Sequence, residues 1–184
     1  MTRRIAVLVG SLRAGSYNRM TAKALISLAP DSLSLGIVEI ADLPLYNEDL
    51  DKEGARPAPW TRFRDEVRPA DGLLFVTPEY NRSVPGGLKN AIDVGSRPYG
   101  QSVFDGKPGA VVSVSPGAPG AFGANHHLRQ SLVFLNVPAM QQPEAYIGGA
   151  AKRFGEDGTL TDEGTSKLLT GFIEAYARWV ERFA

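Results

Sequence analysis

Four hydrogen-bonding side chains, Ser11, Arg13, Ser16 and Asn18, crowd into the stretch "VLVGSLRAGSYNR" (residues 7–19). The apolar run before them breaks at Gly10, so these donors follow the end of a strand and lead into a helix. A loop that ends at a helix N-terminus presents unpaired backbone N–H groups and the positive end of the dipole, which together favour an anion. Hydroxyl, amide and guanidinium groups gathered at that point suit a terminal phosphate monoester. The Gly10-to-Gly15 spacing superficially matches a nucleotide triphosphate loop, but Ser16 stands where that motif needs its lysine, and no G-x-G-x-x-G follows the strand. The plainer alternative is that Ser16 or Asn18 only caps the helix. A cap needs one such residue, whereas this loop supplies four.

A second chemically unusual stretch is "TPEYNRSVPGGLKNAID" (residues 77–93). Pro78 has no N–H, while Glu79, Tyr80, Asn81 and Arg82 each bring backbone donors and acceptors. Pro85 is suited to the first turn of the next helix. Held between a strand end and a helix, the loop would offer a rigid polar edge to a flat ring, with Tyr80 as an aromatic neighbour. Gly86 and Gly87 remove side chains beside it, leaving room for a second planar molecule or another subunit. In a third stretch, "SPGAPG" (residues 115–120), small residues alternate with prolines. It reads as a low wall carrying one hydroxyl, Ser115, next to Gly117.

These three stretches need a scaffold that brings them together. Residues 4–9, 72–76 and 109–114 are continuous β-rich apolar runs, as strands covered on both faces read. Residues 35–40 are expected to form the second strand and 138–147 the fifth. Helical patterns cover 18–29, 60–68, 85–95, 122–136 and 161–183, the last with Leu169, Phe172, Ile173, Tyr176, Val180 and Phe183 along one face. Thr161, with Glu163 and Gly164 following, suits that helix's start. Strands alternating with helices imply right-handed crossovers and an α/β fold with helices on both faces of a parallel sheet. The expected architecture is a doubly wound five-stranded sheet in the flavodoxin-like order 2-1-3-4-5, built as one domain over residues 1–184. Its ligand crevice lies beyond the carboxyl ends of the strands, where the winding reverses between strands one and three. The three unusual stretches follow strands one, three and four.

Composition removes several classes. The 20 basic residues balance the 20 acidic ones, giving no charge bias toward nucleic acid or an anionic membrane. A small-molecule partner is the expectation. No apolar run is long enough to span a bilayer and "MTRRIAVLVG" lacks a cleavage site, so a cytoplasmic location is expected. With no cysteine, thiolate metal sites, iron–sulfur clusters and thiol relays are excluded, and redox chemistry would need a bound cofactor. His126 and His127 lack metal-helix spacing, and Glu144 reads as structural or interfacial. No G-x-S-x-G elbow is present.

The stretches "GSLRAGSYNR" and "TPEYNRSVPGGLKNAID", continuing through "HLRQSLVFLNVPAMQQPEAYIG" (residues 127–148), resemble the NAD(P)H-dependent FMN reductases of flavodoxin-like fold. That family includes bacterial chromate, quinone and azo-dye reductases. The resemblance covers nearly the whole chain. It implies FMN as cofactor and NADPH or NADH as co-substrate. It also implies that Ser11, Arg13, Gly15, Ser16, Tyr17 and Asn18 surround the phosphate, that Pro78, Glu79, Tyr80, Asn81 and Arg82 line the edge of the isoalloxazine ring, and that Ser115 and Gly117 meet the ring from the third loop. Relatives often carry an aromatic residue at Arg82 and a tryptophan at Val94. The resemblance points to a homodimer or homotetramer, and Val133 and Phe134 lie off the Leu128–Leu132–Leu135 stripe where such contacts would form. A flavodoxin-type electron carrier, or a phosphate-binding regulatory module, would suit the same fold.

Overall fold

The computed structural model describes residues 1–183. Five strands, β1 (Arg3–Val9), β2 (Leu33–Ile37), β3 (Gly72–Thr77), β4 (Gly109–Val114) and β5 (Ala145–Ile147), form one sheet in the order β2-β1-β3-β4-β5. Every neighbouring pair is parallel. Helices α1 (Tyr17–Leu28), α2 (Ala58–Val67), α3 (Gly86–Gly95), α4 (Phe122–Phe134) and α5 (Glu163–Val180) connect and cover them. The expected winding order is the observed one.

The two central strands β3 and β4 are buried at every residue, which is why they read as unbroken apolar runs. One face packs against α2, α3 and α4 around Trp60, Phe63, Phe75 and Phe104. The other packs against α1 and α5 around Leu25, Phe172 and Tyr176. The Tyr176 hydroxyl donates to the carbonyls of Leu73 (2.8 Å) and Pro108 (3.1 Å), anchoring α5 to the start of β3 and β4. Full burial pushes this phenol's pKa well above its ordinary value.

Several boundaries differ from the sequence expectation, each for a local reason. β2 stops at Ile37 because Val38, Ile40 and Leu43 turn into the core beneath α2. β5 keeps only three residues. Upstream, Ala139 makes one isolated parallel bridge to Gly109, and Pro143, which lacks an N–H, interrupts the ladder before Ala145. Pro85 sits at the N-cap of α3, one position ahead of the expected first turn. Asp162, not Thr161, caps α5, accepting from the Thr165 N–H at 2.8 Å. The buried stripe of that helix ends at Val180, and Phe183 lies half-exposed on a final 3-10 turn beside Trp179. Among the described residues no helix is long and apolar enough to cross a membrane.

Candidate functional site at the carboxyl edge of the sheet

The loop after β1 leads into α1 as the spacing requires. Ser16 is the N-cap: its hydroxyl accepts from the Arg19 N–H at 3.2 Å, and its carbonyl from Met20. Capping is therefore one task of this loop, and it falls to Ser16. The backbone N–H groups of Ser16, Tyr17 and Asn18 lie ahead of the first intrahelical bond and have no partner within the helix. Asn18 is 4% exposed; its Nδ2 donates to the Val114 carbonyl at 3.5 Å, while its Oδ1 is buried with no partner. Ser11 is buried, Arg13 is exposed, and Gly15 lies near the Arg13 guanidinium. Tyr17 stacks on Phe154 with ring centroids 6.1 Å apart. The neighbouring Arg19 is committed elsewhere, forked onto Glu39. That hydrogen bond raises the guanidinium's pKa and lowers the carboxyl's.

The loop after β3 is a miniature hairpin. Tyr80 and Ser83 exchange backbone hydrogen bonds (3.2 and 3.0 Å), and the two residues between them, Asn81 and Arg82, have φ of 53° and 63°. Two consecutive left-handed residues are the signature of a type I′ turn, a conformation that usually selects Asn or Gly. Tyr80 spends its own N–H and carbonyl on Ser83, which holds Asn81 and Arg82 at the tip of the turn. Pro78 is buried, and its carbonyl accepts from the Thr77 hydroxyl at 2.8 Å. Glu79 turns inward: its carboxylate accepts from Arg82 Nη1 (2.9 Å) and from the Ala124 N–H (3.0 Å).

The third loop closes on itself. The Ser115 hydroxyl donates to the Gly117 carbonyl at 3.1 Å, and that carbonyl also accepts from the N–H groups of Gly120 and Gly149. The backbone of Ser115 bridges to Ile147 and Ala150. Asn125, fully buried, donates to Ser113 Oγ beneath it.

The three loops meet at one edge. A Cβ built on Gly10 would lie 3.1 Å from Pro78 Cδ, so β1's end and the second loop are in contact there. Leu12 packs over Gly87 at the start of α3, and Asn18 reaches the end of β4. A groove of about 380 Å³ lies between α1 and the Asp157–Leu160 turn, lined by none of the three loops.

Two features were missed by sequence reasoning. The long loop after β2 is pinned beside the rim: Asn90 of α3 accepts from the Tyr46 N–H and donates to the carbonyls of Leu43 and Pro44. Asp51, its side chain 2% exposed, takes a two-pronged ion pair from buried Arg64 (2.7 and 2.9 Å) and a third contact from Arg56. These hydrogen bonds, Arg64's first, hold the Asp51 carboxyl below the usual carboxylate range against the opposing effect of burial. Acidic and basic residues are common in loops, so only the pairing in space reveals them.

On α4, His126 hydrogen-bonds the Tyr146 hydroxyl (3.0 Å) and packs on Phe122, and His127 Nδ1 meets Ser83 Oγ at 2.8 Å. Burial, then the Glu144 carboxylate as hydrogen-bond partner and as a charge, pushes the Tyr146 phenol up to about 12. Val133 and Phe134 project outward, 80% and 71% exposed. No cluster of metal-ligating side chains occurs among the described residues.

A parallel sheet wound 2-1-3-4-5, with an anion-suited helix start and two further loops converging where the winding reverses, defines a nucleotide-binding protein of flavodoxin-like architecture. Residues 3–152 match the model of the NADPH-dependent FMN reductase family, and the chain belongs to that family. It is 66% identical to a quinone reductase of Pseudomonas putida, covering 96% of this chain and 94% of the relative. It is 48% identical to a 2-hydroxy-1,4-benzoquinone reductase of a Burkholderia species, covering 98% and 97%. The solved structure of FerB, a flavoenzyme NAD(P)H:(acceptor) oxidoreductase from Paracoccus denitrificans, superposes with a TM-score of 0.91 at 43% identity over 99% of each chain. The protein is thus an FMN-dependent oxidoreductase that uses NAD(P)H.

Proposed function

We propose that the rim formed by the three loops is the FMN site, and that the enzyme passes electrons from NAD(P)H to a quinone. The first loop supplies donors for a phosphate: the N–H groups of Ser16, Tyr17 and Asn18, the Asn18 amide, the Ser11 hydroxyl and the Arg13 guanidinium. The observation that carries the reading is the buried, unpartnered Oδ1 of Asn18. A buried acceptor left unpaired costs about 1–3 kcal/mol, and a ribityl hydroxyl would satisfy it. The residues present therefore fit the group.

Bound FMN supplies a ring that takes a hydride from a nicotinamide and returns electrons to an acceptor. The chain's part is to hold that ring and leave one face open. Asn81 and Arg82 present backbone groups to its edge, Pro78 and Gly10 form the floor, and Ser115 with Gly117 bounds the far side. No side chain is required as a general base. The relatives named as quinone reductases support a quinone as the physiological acceptor. Chromate, azo dyes and free flavin would reach the same open face. The exposed pair Val133 and Phe134 supports a homodimer or homotetramer, built from copies of a single-domain chain.

Oxidation of NADPH and NADH by FMN-loaded protein, with quinone, chromate, azo dye and free flavin in parallel, tests this function. Turnover highest with quinone is expected. No consumption above that of free FMN with any acceptor would leave an electron carrier instead.

A further inference from the structure

Glu79 lies in a motif expected to line the flavin, yet its side chain is only 11% exposed and is spent on partners within the protein. Its two oxygens have separate tasks. One accepts from Arg82, whose exposed guanidinium folds back over a left-handed backbone. The other accepts from the Ala124 N–H in the first turn of α4, forty-five residues on. That helix has no cap of its own: Ala121 occupies the N-cap position at φ 61° and offers no side-chain acceptor. Glu79 supplies the missing acceptor and the negative charge that a helix start favours. Gly123 makes the approach possible, because a Cβ there would stand 2.8 Å from the carboxylate. A second tether, Ser83 to His127, joins the other arm of the hairpin to the next turn of α4.

We infer that Glu79 is a positioning residue for hydride transfer: it locks the Asn81–Arg82 turn against α4, fixing the backbone edge that meets the flavin ring. The inference rests on the FMN site proposed above. The turn needs this support, since Arg82 holds a conformation unfavourable for a residue with a Cβ. Glu79 acts on the ring through the turn and through its charge, and the phosphate is gripped independently by the loop after β1.

The test uses full-length Glu79→Gln and Glu79→Ala with wild type as reference. Glutamine can still accept from Ala124 but cannot ion-pair with Arg82, so it preserves the helix start should the alanine variant fail to fold. FMN affinity, by quenching of flavin fluorescence, is expected to change by less than about threefold in Glu79→Gln, because the phosphate loop is untouched. The kcat for NADPH oxidation is expected to fall about tenfold with KM little changed, as for a small misplacement of the reacting centre. The midpoint potential of the bound flavin should move positive, because added electrons then meet less negative charge. Glu79→Asp, with its shorter reach, should restore the potential but not the rate. Wild-type kcat, potential and flavin spectrum in Glu79→Gln would overturn the inference, as would loss of FMN in proportion to loss of activity. Failure of wild type itself to bind FMN would instead overturn the site assignment.

Discussion

Asn18 in the first turn of α1 donates to the carbonyl of Val114 at the end of β4, 96 residues further along the chain. Helix α1 follows β1, and β1 and β4 lie on opposite sides of β3 in the sheet order, so this bond ties the first loop to the end of β4. It leaves the Asn18 Oδ1 without a partner at the place where the proposed cofactor's phosphate and ribityl chain would lie.

Substitutions at Asn18 should therefore touch both folding and binding. Aspartate is isosteric, and a negative charge in the first turn of a helix stabilises it by about 0.3–1 kcal/mol. Against a phosphate the same charge is repulsive. At this buried site, however, aspartate also replaces the Nδ2 donor to Val114 with a second acceptor, so Asn18→Asp is expected to unfold below the wild-type temperature and to bind FMN more weakly than Asn18→Ala does. Thermal melts of the cofactor-free proteins and flavin fluorescence titrations check both halves.

Arg13 and Asn81 hold different ends of the proposed ligand. Arg13→Ala is expected to lower FMN retention by tenfold or more, the loss of about one charge-assisted hydrogen bond worth about 1.5–3 kcal/mol. Asn81→Ala should retain FMN and alter turnover, because it strains the left-handed turn at the ring edge. Gel filtration of FMN-saturated variants followed by NADPH oxidation distinguishes the two patterns. Loss of FMN in both variants alike would contradict the division of labour.

The Asp51–Arg64 pair predicts an acid-sensitive stability. The Asp51 carboxyl is held below its ordinary pKa, chiefly by its hydrogen bond with Arg64. A depressed folded-state pKa contributes stability above the unfolded value, and this is lost as pH falls through the folded one. Asp51→Asn leaves Arg64 buried without a carboxylate, at a cost of about 3–5 kcal/mol near neutral pH. Denaturant midpoints should show the gap between wild type and variant shrinking as pH is lowered below about 4. A gap independent of pH would remove the ion pair from the account.

Tyr176 should matter to stability alone. Its hydroxyl serves the Leu73 and Pro108 carbonyls at the amino ends of β3 and β4, the end of the sheet opposite the rim. Tyr176→Phe is expected to cost about 1–2 kcal/mol in urea unfolding with FMN affinity unchanged.

The sheet was legible because its central strands are buried on both faces. The β4 run Gly109–Val114 shows as one apolar block whose ends match the strand's, and the alternation of elements implies a parallel sheet whose count fits the flavodoxin-like order observed. The convergence of the first and second loops was legible for the same reason, since the fold order places their strands side by side. What escaped depended on partners far apart in sequence or on backbone shape. Nothing near Glu79 announces that its carboxylate serves Ala124, and Asn81 and Arg82 reveal a left-handed turn only once Tyr80 and Ser83 pair. The fifth strand was overextended because its apolar residues do run beside β4, while Pro143 breaks the ladder between them.

Binding of FMN and of riboflavin to cofactor-free protein, measured side by side by fluorescence quenching, tests most directly whether the loop after β1 grips a phosphate at this rim. The two ligands differ only in that group, and two or more charge-assisted hydrogen bonds predict FMN to bind at least about a hundredfold tighter. Equal affinities, or no quenching by either flavin, would contradict the assignment.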